Sequence, residues 1–172
     1  GQNITTGLNG NQTYDGTGQV LCGNGTITCG GNFDNKDQGT WTRETSTLVM
    51  TGVGKTITGD TGRRLHHLTI RGTITLAAAT NTRLYLYGTL TIDIGKQFTI
   101  NEELRALSTI SNAGTFVLDD NCLDVKTVEN TGTISGSGLL RTQTAWSITN
   151  TGTWTVASLS TRSSGTLGPG TY

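Results

Sequence analysis

Apolar and polar residues alternate along many short stretches of this 172-residue chain. Clear examples are Leu68-Thr-Ile70, Ile74-Thr-Leu76 and Leu84-Tyr-Leu86. Successive side chains of a strand point to opposite faces, so a period of two predicts strands with one buried face and one wet face. No long stretch has the period of a helix. The pattern therefore predicts an all-β protein.

The segment from Ser108 to Val156 repeats one phrase three times. A β-branched apolar residue and a spacer precede Asn-(Ala/Thr)-Gly-Thr, and a large apolar residue follows. Asn112, Asn130 and Asn150 mark the phrase at nearly equal intervals. This period predicts a parallel β-helix, or β-solenoid, in which the three asparagines stack and hydrogen-bond along the axis. A β-sandwich or jelly roll is the alternative, because it too has short strands and Gly-rich turns.

The chain is predicted to change character after residue 38. Residues 1–38 are rich in Gly, Asn, Gln and Asp, and they predict a polar N-terminal arm or cap with a hairpin around Asn24-Gly25. Residues 39–172 are predicted to form the solenoid.

The phrase Gly-Thr-apolar also recurs outside the three copies. The interval from Gly72 to Gly88 is similar to that from Gly114 to Gly132, whereas the interval from Gly88 to Gly114 is clearly longer. The longer interval predicts an insertion in that coil. Asn101 could begin a single helical turn over residues 101–107, with the two following glutamates near its positive end.

The composition of the chain argues against two classes of partner, nucleic acids and membranes. The 36 threonines and 25 glycines suit strands and sharp turns. Lys plus Arg and Asp plus Glu are 12 each, so the chain lacks the basic excess typical of nucleic-acid binding. No apolar run reaches the roughly 20 residues of a membrane helix. We therefore predict no nucleic-acid partner and no membrane span.

The Asn-(Ala/Thr)-Gly-Thr phrase resembles the parallel β-helices of bacterial surface adhesins of the filamentous-haemagglutinin and autotransporter type. It is similar as well to phage tail spikes and fibres. These families carry loose runs of Asn-x-Gly-x-apolar in the same role, and the likeness covers about residues 65–157. The resemblance implies an extracellular, cell-surface or virion-surface location, a binding or structural role, and assembly of identical subunits.

Residues that could form a catalytic site are few. The only histidines, His66 and His67, are adjacent and would point to opposite faces of one strand. The acidic pairs Glu102-Glu103 and Asp119-Asp120 diverge in the same way, so neither pair alone forms a site. We predict that the protein is not an enzyme and has no metal site and no cofactor.

The best candidate for a contact surface is Arg83-Leu-Tyr-Leu-Tyr87. If its leucines face the core, Arg83, Tyr85 and Tyr87 line up outside, where aromatic rings can stack on sugars or pack against a subunit. Arg71 of the preceding strand is expected nearby. The alternative is that the tyrosines cover the sheet or fill a second core.

The three cysteines have different interpretations. Cys22 and Cys29 flank Gly-Asn-Gly, and either a disulfide or two small buried residues fits this spacing. Cys122 has no partner in the sequence pattern and is predicted to be a buried apolar residue.

Thr-x-Thr is frequent, and ranks of it on a flat solenoid face would resemble the ice-binding surfaces of antifreeze solenoids. The copies share no constant interval along the chain, and they begin at Thr26, Thr40, Thr56, Thr73, Thr89 and Thr153. Such uneven spacing favours ordinary strand propensity over a regular array.

The sequence favours a non-enzymatic extracellular or virion-surface structural β-solenoid. We expect identical subunits to associate into a homo-oligomer or a filament, and so to build a filament, fibre, spike or coat. In this role the protein would mediate adhesion or subunit contacts. A glycan or a cell-surface receptor is the other class of partner. The alternatives are a carbohydrate-binding module that uses Tyr85 and Tyr87, and an ice-binding protein.

Overall fold

The computed structural model describes residues 4–5, 12–13, 19–21, 23–35, 40–42, 45–59, 64–77, 83–162 and 165–168. In chain order the strands are β1 Ile4–Thr5, β2 Gln12–Thr13, β3 Gln19–Leu21, β4 Thr26–Cys29, β5 Phe33–Asn35, β6 Thr40–Thr42, β7 Thr47–Met50, β8 Val53–Gly59, β9 Arg64–Leu65, β10 His67–Ile70, β11 Thr73–Ala77, β12 Arg83–Leu86, β13 Leu90–Ile92, β14 Gln97–Ile100, β15 Glu103–Ala106, β16 Thr109–Asn112, β17 Thr115–Leu118, β18 Cys122–Asn130, β19 Thr133–Asn150, β20 Thr153–Ser160 and β21 Thr166–Leu167.

Every strand pairing within these segments is parallel. Each strand pairs with the strand that lies about one coil further along the chain. This arrangement confirms the predicted parallel β-solenoid. It excludes the alternative of a β-sandwich or jelly roll, because those folds are built from antiparallel strands.

Each coil of the solenoid has three walls, which we call the first, second and third faces. The first face stacks β1, β4, β7, β10, β13 and β16, then residues 127–130, 147–150 and β21. The second face stacks β2, β5, β8, β11, β14 and β17, then residues 133–136 and 153–156. The third face stacks β9, β12 and β15, then parts of β18, β19 and β20. β3 and β6 follow β2 and β5 in the chain and form a separate two-stranded sheet.

Inward positions stack on their equivalents from coil to coil and form the core. On the first face this column is buried throughout and consists of Ile27, Leu48, Leu68, Leu90, Ile110, Val128 and Ile148. On the second face Phe98 and Phe116 stack with ring centroids 5.9 Å apart and planes 7° apart. The period-two pattern thus specifies the buried side of each strand, and one coil covers the apolar side chains of the next.

The Gly-Thr-apolar phrases mark two different corners, which the sequence prediction did not separate. Gly88 precedes a first-face strand, whereas Gly114 precedes a second-face strand. The predicted insertion between them is therefore wrong, because the long interval compares corners that are not equivalent. The predicted helical turn at residues 101–107 is wrong as well, since Glu103–Ala106 is the third-face strand β15 with alternating burial. Stacking of its Leu104 and Ala106 on the core outweighs the local helix signal.

At the corner before the second face, glycines of successive coils stack directly on one another. A Cβ added to Gly132 would collide with the carbonyl oxygen of Gly114, and one added to Gly152 would collide with that of Gly132. The next residue of each coil donates a backbone hydrogen bond to the same carbonyls, from Thr133 to Gly114 and from Thr153 to Gly132, at 2.8 Å in both cases. Glycine is required here because the two backbones meet with no room for a side chain.

The predicted N-terminal region needs one correction. β4 pairs with β1 and β7, while β3 pairs with β6, so the strands around Asn24-Gly25 do not form a hairpin. An Asn-Gly turn signal fits a solenoid corner equally well, and Gly23 has a φ of 54° there. β4 and β5 continue the ladder of β7 and β8. The predicted boundary after residue 38 lies outside the described residues.

Candidate functional site

The solenoid separates side-chain chemistry by face. Outward positions of the second face from β11 onward are mostly threonine and carry no charge. The first face is similar, with His67 and Glu129 among its threonines and serines. The third face instead carries a connected set of arginines and carboxylates. We call this set the charged stripe and define it as Arg83, Glu103, Arg105, Asp124, Arg141 and Arg162.

Two carboxylates organise the charged stripe. Glu103 Oε1 lies 3.1 Å from Arg83 Nε and accepts a hydrogen bond of 2.7 Å from Arg105 Nε. The hydrogen bond to Glu103 raises the pKa of Arg105, and burial opposes that rise. This contact keeps the Arg105 side chain in place along the wall of the solenoid.

Asp124 is the second centre of the stripe. Its carboxylate lies 3.4 Å from a guanidinium nitrogen of each of Arg105, Arg141 and Arg162. Asp124 also has a φ of 63°, in the left-handed region that few non-glycine residues adopt. The register of β18 against β19 shifts at this position, so the backbone bulges and turns the carboxylate toward the three arginines.

The predicted contact residues of β12 lie beside the stripe. Leu84 and Leu86 are buried, as the alternation predicted, and Arg83, Tyr85 and Tyr87 lie on the outer side. The guanidinium carbon of Arg105 lies 5.7 Å from the ring centre of Tyr85, and that of Arg64 lies 5.7 Å from the ring centre of Tyr87. Both rings are therefore in cation–π contact with arginines of neighbouring coils.

Arg71 is not on this face. It follows β10 at the corner between the first and second faces, where its Nε lies 3.1 Å from Asp93 Oδ2. The reason is that Arg71 and Arg83 are separated by the whole of the second face, formed by β11. The sequence prediction had treated the two strands as direct neighbours.

The corner that holds Arg71 also carries two exposed aliphatic side chains. Val53 is 78% exposed and Ile94 is 82% exposed. Each precedes a glycine with positive φ, Gly54 at 63° and Gly95 at 70°, and both glycines face open space. Their strands lie two coils apart, or about 10 Å at the usual interstrand spacing. We call Val53 and Ile94, with Arg71 between them, the corner ridge.

The three repeated asparagines lie in register inside the first face and are almost fully buried. Asn112 Nδ2 donates to Asn130 Oδ1 at 2.7 Å, and Asn130 Nδ2 donates to Asn150 Oδ1 at 2.6 Å. Asn112 Nδ2 and Asn130 Nδ2 also donate to the carbonyl oxygens of Thr133 and Thr153. The amides therefore connect the first face to the second across the glycine corner. Asn112 Oδ1 has no hydrogen-bond partner among the described residues.

The histidines differ from their prediction. His66 lies at the bend between β9 and β10, so the two side chains are not on opposite faces of one strand. Their rings meet edge to face, with centroids 4.4 Å apart. His67 Nδ1 accepts a hydrogen bond of 3.0 Å from the Thr89 backbone N–H. His67 thus completes the ladder at a position where the neighbouring coil has threonine.

Outward threonines of the second face stack into columns along the axis, although their uneven spacing in the sequence did not predict them. One second-face column consists of Thr73, Gln97, Thr115, Thr133 and Thr153. The adjacent column consists of Thr56, Thr75, Thr99, Val117, Ser135 and Thr155. The sequence offsets are uneven because Thr-x-Thr copies of the first and second faces are interleaved along the chain.

The cysteines do not contribute exposed thiols within the described part of the chain. Cys122 is fully buried, as predicted, and this burial, with the nearby Asp124, raises the pKa of its thiol. Cys29 is buried at the end of β4, with Sγ 3.4 Å from Gly31 O. Cys22 lies outside the described residues, so its disulfide with Cys29 stays a prediction.

No group of three or more His, Cys, Asp or Glu side chains within the described ranges could hold a metal ion. A helix of the length and apolarity needed to cross a membrane is not found in the same part of the chain. Comparison with protein-family models, with curated proteins and with solved structures finds no match to this chain.

Of the six residues of the charged stripe, the predicted contact surface included only Arg83. Glu103, Asp124, Arg141 and Arg162 come from four separate parts of the chain, and they share no phrase. The available signal was the alternation in Glu103-Leu-Arg105, which the helical interpretation of that segment hid.

Proposed function

We propose that this protein is a non-enzymatic structural β-solenoid of an extracellular or virion surface. In this proposal it assembles with copies of itself into a filament, fibre, spike or coat and uses its outer faces for adhesive or subunit contacts. The observation that carries the proposal is the separation of chemistry by face. Flat threonine-covered walls and one charged wall present extended surfaces, which suit contact over an area.

The corner ridge is the proposed contact between subunits. Val53 and Ile94 project from corners where a Cβ on the following glycine would meet no atom within 4 Å, and most of each aliphatic side chain is exposed to water. Burying them against a second copy would remove apolar surface from water. From β11 onward the outward side chains of the second face carry no charge, so this part of the face can approach another copy without burying an unpaired charge.

Light scattering and electron microscopy of the purified protein test this assembly. We expect oligomers or filaments for the natural chain, and monomers for the double variant Val53→Lys and Ile94→Lys, because two lysines at the ridge would repel the neighbouring copy. The matched control adds two lysines elsewhere, as Asn101→Lys and Ser137→Lys at exposed positions of the corner between the second and third faces. A natural chain that stays monomeric at all concentrations would rule out the proposal.

Ice binding is a second candidate, favoured by the two threonine columns of the second face. Their hydroxyl and methyl groups repeat once per coil, at about 4.8 Å, and every second residue along each strand, at about 6.6 Å. A rigid array with two regular spacings can order a layer of water. The array is interrupted at Gln97 and Val117.

Thermal hysteresis and inhibition of ice recrystallisation test this candidate. We expect Thr99→Lys, in the middle of the second-face columns, to abolish the effect. Thr91→Lys on the first face should leave it unchanged. Absence of hysteresis in the natural chain would remove ice binding from consideration.

A further inference from the structure

We infer that the charged stripe of the third face binds a linear anionic glycan that bears carboxylate or sulfate groups along its chain. This inference gives a ligand class to the adhesive role proposed above, and it rests on that role. Three features of the stripe support it: its charges form two layers, its arginines follow the axis of the solenoid, and two tyrosines lie at the end marked by Arg83.

Charge in the stripe is arranged in two layers. The two carboxylates lie underneath, with side-chain exposures of 19% for Glu103 and 12% for Asp124. The guanidiniums of Arg83 and Arg162 lie outermost, with exposures of 49% and 52%. Four arginines surround two carboxylates, so the stripe has a local excess of two positive charges in a chain with none overall.

The outer guanidiniums keep donors for a ligand. A guanidinium has five N–H donors, and the ion pairs of Arg83 and Arg162 with the stripe each use one nitrogen. The buried carboxylates fix the arginine side chains and leave their outer edges toward solvent. An arginine held in this way loses less side-chain entropy when it pairs with a carboxylate or sulfate.

The direction of the stripe favours a linear polymer. Arg83, Arg105 and Arg141 lie on separate third-face strands along the stack, Arg162 follows the end of β20, and coils rise by about 4.8 Å each. A chain lying along the axis would therefore meet a guanidinium from each of four coils, with the coil of Asp124 between those of Arg105 and Arg141. Tyr85 and Tyr87 flank the Arg83 end, half-buried and each with one ring face against a guanidinium, and the uncovered part of each ring is the surface that a pyranose would contact. A neutral overall charge makes a duplex nucleic acid a poor alternative.

Titration calorimetry with the full chain tests this inference against four probes: polygalacturonate, dextran sulfate, neutral dextran and double-stranded DNA. We expect binding to at least one of the two anionic glycans and none to neutral dextran. Binding to polygalacturonate assigns a carboxylated ligand, and binding to dextran sulfate alone assigns a sulfated one. Affinity should fall as salt is raised, because ion pairs are screened. Absence of binding to both glycans, or tighter binding to DNA, overturns the inference.

Variants then locate the site. We expect the double variant Arg83→Gln and Arg162→Gln to weaken binding at least about tenfold. The matched control, Lys96→Gln and Lys126→Gln, removes the same charge at exposed positions outside both the charged stripe and the corner ridge and should change affinity less than about twofold. An equal loss in both double variants contradicts the assignment.

Asp124→Asn supplies a test in the opposite direction. Asparagine tolerates the left-handed backbone of Asp124, while loss of the carboxylate frees three guanidiniums. We expect tighter binding to the anionic glycan, measured at a temperature where circular dichroism shows the variant folded. Weaker binding by the folded variant would contradict the inference. If the natural chain assembles but binds neither anionic glycan, the glycan ligand is rejected while the proposed structural function stands.

Discussion

Replacing Gly132 by alanine is expected to destabilise the protein by about 3 kcal/mol or more. The added Cβ would collide with the carbonyl oxygen of Gly114 and with the backbone of Ala113 in the preceding coil. Both obstacles are main-chain atoms, so neither can move aside as a flexible side chain would. The coils would have to separate where Thr133 donates its backbone hydrogen bond to Gly114. Urea denaturation monitored by circular dichroism measures the change in the free energy of unfolding.

Gly95→Ala is the matched control for this prediction. Gly95 has a φ of 70°, but a Cβ there would meet no atom within 4 Å. Its cost should be limited to backbone strain, about 1–2 kcal/mol. If the two variants lost the same stability, close approach of the coils would not be the reason for glycine at position 132.

Asn130→Ala is expected to cost about 2–4 kcal/mol, the second large effect. Asn130 is 1% exposed and connects Asn112 to Asn150 through hydrogen bonds of 2.7 and 2.6 Å. Removing its amide breaks these two bonds and the one that it donates to the Thr153 carbonyl, worth about 1 kcal/mol each, and leaves a cavity. The same urea experiment measures the loss. Asn101→Ala removes an exposed asparagine and should stay within about 0.5 kcal/mol of the natural chain.

The end of the asparagine ladder allows a complementary comparison. Ile92 pairs in register with Asn112, whose Oδ1 lacks a partner within the described residues. Ile92→Asn would place an amide donor next to that oxygen. Ile70→Asn, one coil earlier in the same buried column, would place an amide beside aliphatic neighbours only. We expect Ile92→Asn to be the milder change by at least about 1 kcal/mol, and equal losses would argue against a ladder of amides.

The repeated phrase was enough to predict the solenoid because its apolar residue and its asparagine both have side chains that face the core. An apolar residue, a spacer and Asn recur in three successive coils, and stacking of like on like requires them to lie in register. The corners were harder to assign. A Gly-Thr pair begins both a first-face strand after Gly88 and a second-face strand after Gly114, so the sequence alone could not order them.

The outer surface was predicted less well than the core. Outward residues have no common requirement from coil to coil, so their columns become visible only when the register is known. Thr75 and Thr99 are far apart in the chain yet occupy neighbouring strands. Asp124 adopts a left-handed backbone, which aspartate takes only occasionally and which its neighbours Leu123 and Val125 do not signal. No pattern in the sequence therefore predicted that Asp124 pairs with three arginines.

The glycine column makes the molecule modular. Residues 109–126 and 127–146 each contain one complete circuit, because Thr109 pairs with Thr127 and Thr127 pairs with Ser147. If such a segment is duplicated in tandem, the new coil follows the old one at an equivalent position of the circuit. The new coil also carries the corner glycine and the ladder asparagine that it needs for stacking. The length of the rod can therefore change by whole circuits through tandem duplication, while a loss of only a few residues within a circuit would move every later side chain out of alignment.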